Sequence, residues 1–334
     1  MTVGGGHRGH PRRNGNCSAG LPQTSTRLIT AIIRPTVSPV MDTTSMLVRL
    51  TPYLFVLLWS SSFIASKTGL RDISPLLFVA IRMAGCATVL LAWMLIRRPS
   101  LRPLAGWRWL HCAIAGALLN AVGLMAPHAG LLLAPAGQIA LVQSLTPLLT
   151  AIFGVALLHE QLQLRQWLGL ALGMAGVGLV VGYAAFESAS RFQGLVLAFV
   201  GVLGLVAGTL YFGRFCRGVP LLPSATTQFL SAAIVSGLGA WLLEIPRAEW
   251  TEGAVAALAW TTIMTSLGGM CLYSIMLARG SAARVSANFY LVPGTAALLA
   301  WITLGERLTL LALTGLVVAS AGCWLVSAAP RTPA

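Results

Sequence analysis

Acidic side chains are scarce in this sequence. Asp and Glu together number 8 in 334 residues, against 22 Lys and Arg. A soluble chain of this length carries about 84 charged residues, a quarter of its composition; here 22 and 8 make 30. That is too few to cover a water-facing surface, and 57% hydrophobic residues with a mean hydropathy of +0.82 agree. Soluble enzyme, nucleic-acid-binding protein and disordered scaffold are poor fits. The class is a polytopic membrane protein, with the lipid bilayer as its surroundings. The shortage of acid also leaves a net charge of +14, which in a soluble chain would point to nucleic acid. These cations instead stand singly or in pairs between apolar runs, with no basic stripe interleaved with aromatics, so no nucleic-acid partner is expected. Lys and Arg of membrane proteins collect in cytoplasmic loops in this way.

Cysteine is also scarce and unpatterned. No pair among the 6 has CxxC spacing, and Cys86, Cys112, Cys271 and Cys323 lie in apolar stretches, with Cys17 and Cys216 outside them. They read as small buried hydrophobes, not as a disulfide framework or metal site. Gly4 to Gly9 fits GxGxxG by chance, without a preceding strand, and His159-Glu160 lacks the second histidine of a zinc-protease motif. His7, His10 and Cys17 sit in a tail, so no metal and no cofactor is expected. An intramembrane enzyme would need a nucleophile and base, or metal ligands, at one depth. His128 is read as the only histidine in a span, and no paired carboxylates exist. No span carries an acid at its centre, which argues against small lipophilic cations as substrates.

What is present is a series of long apolar runs. Ten are long enough to cross about 30 Å of hydrocarbon as helices: 51–69, 75–96, 109–132, 135–158, 166–184, 193–213, 223–243, 254–277, 285–304 and 309–327. They are continuous, not alternating, so a β-barrel is excluded and the expected fold is all-α. Residues 1–45 hold Arg8, Arg12, Arg13, Arg27 and Arg34 with no acid before Asp42, and predict a disordered extension. Met41 and Met46 are alternative starts, and an Arg-rich leader also resembles an organellar transit peptide. With the N-terminus inside, the inner segments from Met46 on hold Arg49, Arg97, Arg98, Arg102, Arg108, Arg165, Arg214, Arg217, Arg279, Arg284 and Arg331. The outer loops hold Lys67, Arg71, Arg191, Arg247 and Arg307. Eleven against five predicts both termini in the cytoplasm, with 329–334 as a short tail.

A shift of 146 positions aligns the last two helices of each half without a gap. Pro147 falls on Pro293, Glu160 on Glu306, Leu162 on Leu308, Gly169 on Gly315 and Gly176 on Gly322; residues 147–180 against 293–326 give 12 identities in 34. Each half has five helices, an odd number, so the second inserts upside down relative to the first. The expected organisation is 46–185 and 186–328 as two inverted five-helix repeats, the architecture of alternating-access carriers. Trp59-Ser-Ser-Ser-Phe63 with Lys67, Pro75 followed by Arg82, and Pro147 with Glu160, Leu162 and Gly169 resemble one EamA-type domain. Pro293, Gly305-Glu306-Arg307-Leu308 and Gly315 resemble the end of a second, while Leu205 stands where Trp59 predicts Trp and Gln228 replaces Arg82. The resemblance, over about residues 50–327, is to the EamA family of the drug/metabolite transporter superfamily. It implies ten helices, a central cavity from helices 1–4 and 6–9, and export of amino acids or other small metabolites, often with proton coupling. A carrier of that kind belongs in a bacterial inner membrane; an exporter of hydrophobic drugs or other metabolites is the alternative, or, from different classes, an intramembrane enzyme or a non-transporting membrane subunit.

Arg82 is the most informative side chain, because a cation at mid-membrane costs roughly 2.5–3.5 kcal/mol and normally faces protein or a wet cavity. It pairs with an anionic substrate group, or it snorkels outward or bonds helix-end carbonyls. Lys67 reads as an interfacial anchor. His128 follows Pro127, whose missing N–H frees a carbonyl that the imidazole could satisfy; a proton-linked switch is the other reading. Glu160 and Glu306 are the further coupling candidates, each a few residues before a helix whose N-terminus a carboxylate complements. Trp59, Ser62, Asn120 and Gln143 in the first half, and Tyr211, Gln228, Tyr273, Asn288 and Tyr290 in the second, outline the expected substrate cavity with Arg82 and His128. Pro147 and Pro293 break the backbone ladder at equivalent positions, as hinges would. Gly169, Gly173, Gly176, Gly178 and Gly182, with Gly315, Ala319 and Gly322, form small-residue seams for helix packing or a homodimer contact.

Overall fold

The computed structural model describes residues 44–99, 104–158, 164–216, 218–279, 291–306 and 310–327. The expectations for residues 1–43 and for the tail 329–334 lie outside them. Among the described residues the chain is helical, and the one β-contact is an isolated bridge between Ile73 and Ala248. In chain order the helices are α1 Thr44–Gly69, α2 Pro75–Arg97, α3 Arg108–Leu131, α4 Ala136–Gln143, α5 Thr146–Leu158, α6 Leu164–Glu187, α7 Ala189–Phe215 and α8 Leu221–Leu243. Then come α9 over residues 252–279, α10 Val292–Leu304 and α11 Leu310–Ser327. Five stretches, Pro75–Arg97, Arg108–Leu131, Ala189–Phe215, Leu221–Leu243 and Glu252–Tyr273, are long and apolar enough to cross a membrane; Val292–Leu304 and Leu313–Gly322 are shorter apolar helices. The outer surface suits lipid: Leu95, Ile96, Leu242, Ile245 and Val317 are exposed, and Trp107, Trp109, Trp241 and Trp250 are exposed near helix ends, where amphipathic rings anchor.

Local sequence explains the helix ends. Pro75 opens α2 at a position whose N–H needs no partner, after an extended Ser74. Ser188 and Thr251 cap α7 and α9 by accepting from the backbone N–H groups of Arg191 and Ala254. The span expected at 135–158 is not one helix. It breaks at Ser144 and Leu145, so α4 and α5 are separate; Pro147, three residues past Ser144, has no N–H to carry the ladder across. The equivalent Pro293 lies in the first turn of α10, which begins at Val292, so both prolines open helices.

Two helices contain π-helical segments, Ala117–Val122 within α3 and Trp260–Gly268 within α9. Adding 146 to 117 and 122 gives 263 and 268, inside the second segment, so the wide turns recur at equivalent places. The small-residue seams of α6 and α11 face each other: a methyl on Gly176 would collide with backbone at Gly315 and Ala319, and one on Gly322 with backbone at Gly169 and Gly173.

Candidate substrate site

At one end of the bundle, carboxylates from the second half hold helix N-termini of the first. Glu244 accepts from the backbone N–H groups of Leu76 (3.2 Å) and Leu77 (2.8 Å) and from the Ser74 hydroxyl (2.9 Å), capping α2. Glu306 accepts from the Ala136 N–H at 2.9 Å, capping α4, and pairs with Lys67 at 2.5 Å. The Lys67 ammonium also donates to the Ala134 carbonyl at 3.0 Å. Lys67 is therefore an ion-pair partner and not a free anchor, and Glu306 complements the N-terminus of a helix in the other half of the chain. The turn that aims Glu306 uses Gly305 in the left-handed region, φ 66°, with Glu306 N–H returning to the Ala300 carbonyl. The Thr251 hydroxyl donates to Asp72 and Arg247 donates to the Arg71 carbonyl, joining two loops at the same end.

Arg82 lies deeper, seven residues after Pro75, about 10 Å along α2. It is 6% exposed, so it does not snorkel to the surface. Its Nε donates to the Ser266 hydroxyl at 2.9 Å, in the π-helical segment of α9, and it bonds no helix-end carbonyl among the described residues. Next along that segment, the Thr265 hydroxyl is buried without a hydrogen-bond partner. Cys86, one turn beyond Arg82, points its thiol at the Thr262 carbonyl at 3.8 Å.

His128 sits in α3 with both ring nitrogens engaged. Nδ1 is 2.7 Å from the Leu124 carbonyl, which can only accept, so Nδ1 carries a proton; Nε2, 3.0 Å from Ser66 Oγ, then accepts from that hydroxyl in the neutral ring. The carbonyl bonded is that of Leu124, not the Gly123 carbonyl that Pro127 frees. His128 also stacks on Phe78, one turn before Arg82, with ring centroids 5.8 Å apart.

The remaining expected residues divide. Trp59 and Tyr273 meet through Phe55, with centroids 5.4 and 6.0 Å from it, and Gly269 of α9 packs on the Trp59 ring. The Ser62 hydroxyl turns back to the Trp59 carbonyl of its own helix at 2.8 Å. Asn120 stands in the π-helical segment of α3 and Gln143 in the last turn of α4, and neither amide bonds a described residue. Gln228 donates to Ser224 of its own helix at 3.1 Å. Tyr211 is not grouped with Arg82: its hydroxyl meets His111 Nδ1 at 2.8 Å, and both rings pack on Phe215, joining α3 to α7 at the opposite end. His111 is thus a second helical histidine beside His128, and it already falls inside the expected span 109–132. Asn288, Tyr290 and Glu160 lie outside the described residues.

Sequence reasoning passed over several buried polar groups. Ser60 ties α1 to the start of α10 by donating to the Val292 carbonyl at 3.1 Å, and Ser66 holds His128. Gln138 in α4 is buried with its Oε1 unpartnered. Ser266 was findable, since 120 and 146 make 266: it is the repeat-equivalent of Asn120. Beside the Tyr211 cluster, Cys112 and Cys216 are buried; burial and then the neighbouring thiol push the Cys216 thiol above its ordinary value, a packing site and not a reactive one. An open cleft of about 220 Å³ between α1, α9 and α10 is lined by Ser61, Ile64, Ala65, Trp260, Leu299 and Thr303, and holds none of the expected site residues.

These features fit the outcome of comparison with known proteins. An "Uncharacterized transporter YvbV" of Bacillus subtilis is 27% identical over 278 residues, 81% of this chain and 88% of that protein. An "Uncharacterized inner membrane transporter YedA" of Escherichia coli K12 is 25% identical, over 77% of this chain and 83% of its own. A "Probable amino-acid metabolite efflux pump" of Salmonella typhimurium is 23% identical, over 81% and 92%. A solved crystal structure, 22% identical, superposes with a TM-score of 0.60 over 84% of this chain and 96% of its own, a likeness of fold. The model of the EamA-like transporter family matches residues 50–182 and again 192–328. The chain is an integral membrane protein and belongs to the EamA-like transporter family.

Proposed function

We propose that this protein is a secondary active transporter that exports a small polar metabolite, an amino acid or a derivative of one, by alternating access. The observation that carries this reading is the junction between halves. Two helix N-termini of the first half, those of α2 and α4, are held by Glu244 and Glu306 of the second, through hydrogen bonds and an ion pair that can part and re-form. Two matches of one family model, a discontinuous helix at Pro147 and π-helical segments at equivalent places support a carrier built from two repeats. The printed name of the Salmonella relative supports amino-acid-like cargo, and that of YedA supports an inner membrane.

In this reading the chain has ten spans in two inverted repeats, both termini are cytoplasmic, and the end bearing Asp72, Glu244 and Glu306 faces outward. Substrate lies between the halves near Arg82, Asn120, Gln143 and the aromatic group of Trp59 and Tyr273. The protein moves its cargo without changing it. Purified protein in liposomes loaded with mixed amino acids and small metabolites, with and without a pH gradient, tests this by mass spectrometry of lumen and exterior. Selective release of one compound class is expected. No release by folded protein from that pool, or a chemically new product, would overturn the reading.

A further inference from the structure

Arg82 carries a full charge within a helical bundle, and among the described residues no acid is paired with it. The described acids sit elsewhere: Glu244 and Glu306 cap helices, Asp72 takes the Thr251 hydroxyl, Glu187 is the last residue of α6, and Glu249 and Glu252 lie in or beside a loop. The guanidinium spends Nε on Ser266, and its two terminal nitrogens bond no described residue. A charge taken out of water without a partner is among the costliest features a membrane protein can carry, so its counter-ion is to be sought outside the chain.

On the proposed function, and resting on it, we infer that the two terminal nitrogens of Arg82 bind the carboxylate of the exported substrate, with Ser266 holding the guanidinium plane in position. The fork presents two parallel N–H donors to two coplanar oxygens, the geometry of arginine with a carboxylate. The charge count selects a monoanionic group. Lys67 is committed to Glu306, and the other described cations lie at helix ends or in loops, so a phosphate dianion would find one cation where it needs two or more. A zwitterionic amino acid or an N-acylated one fits this site; a sugar phosphate, a lipophilic cation or a neutral drug does not.

The test is thermal unfolding of the full-length protein in detergent, titrated with each protein amino acid, its N-acetyl form and the matching carboxamides. At least one free acid is expected to stabilise wild type, with its carboxamide weaker by roughly thirtyfold or more. Arg82→Gln removes that preference, and Arg82→Lys, which keeps charge without the fork, restores part of it. If Arg82→Gln does not fold, Ser266→Ala serves instead, with a several-fold weaker acid and an unchanged carboxamide. An acid preference that survives Arg82→Gln unchanged would overturn the inference. Vesicle release of neutral or cationic compounds with no preference for acids would overturn it while leaving the carrier standing. Release of nothing from the mixed pool by folded protein would remove the carrier reading and the inference together.

Discussion

Shifted by 146 positions, Arg82 becomes Gln228 and Asn120 becomes Ser266, so the two halves hold the same pair of places with different chemistry. In one pair Arg82 of α2 reaches Ser266 of α9. In the other Gln228 of α8 turns to Ser224 on its own helix, and Asn120 of α3 bonds no described residue. The neighbouring positions give a reason. Gly116 lies so close to the backbone of Gln228 that an added methyl would collide with it, while its equivalent, Thr262, keeps a side chain between α9 and α2 and sets its methyl against Gly85. Backbone contact closes the neutral pair, and a side chain's width separates the charged pair. On the proposed function, such an asymmetry would make the site one-sided and would give a substrate with one charged end one orientation in it.

The comparison can be broken at its charge. Arg82→Gln combined with Gln228→Arg moves the cation to the other half, where α8 lies against α3; transport of a carboxylate substrate in proteoliposomes should fall by roughly thirtyfold or more and not recover. Equal rates in the swapped protein would mean that the halves are interchangeable. A smaller effect is expected from packing. Gly116→Ala should cost about 1–3 kcal/mol by overpacking, whereas Gly85→Ala, which meets only the Thr262 side chain, should cost less; unfolding in denaturant measures both. At the end of the bundle where the halves are tied, Glu306→Gln leaves Lys67 without its ion-pair partner. Both groups are part-exposed, so the expected loss is about 1 kcal/mol, with a faster exchange of the Ala136 amide hydrogen as its local mark. The smallest effect belongs to Asn120→Ser, which copies Ser266 into the neutral half: stability should stay within about 0.5 kcal/mol, because no described bond is lost.

Much of the fold was legible because lipid imposes one rule, continuous apolar helix, on every crossing. The break in the span 135–158 was marked by Pro147, and the seam between α6 and α11 by its glycines, since both act through backbone that sequence shows directly. The site was less legible. Partners such as Ser266 for Arg82, Lys67 for Glu306 and His111 for Tyr211 lie 184, 239 and 100 positions apart, and no period connects them. Ser62 and Tyr211 looked like cavity residues because a polar group in a span must bond something. For Ser62 that is a carbonyl of its own helix, and for Tyr211 a histidine at the far end of the bundle. The π-helical turns were invisible for a different reason: they change the hydrogen-bond register without changing the hydrophobic pattern.

The most direct measurement is paired efflux from liposomes of one amino acid and its carboxamide, for wild type and Arg82→Gln reconstituted side by side. The account predicts that wild type prefers the acid by roughly thirtyfold or more and that Arg82→Gln, inserted to the same level, shows no preference. An undiminished preference for the acid in Arg82→Gln would contradict it.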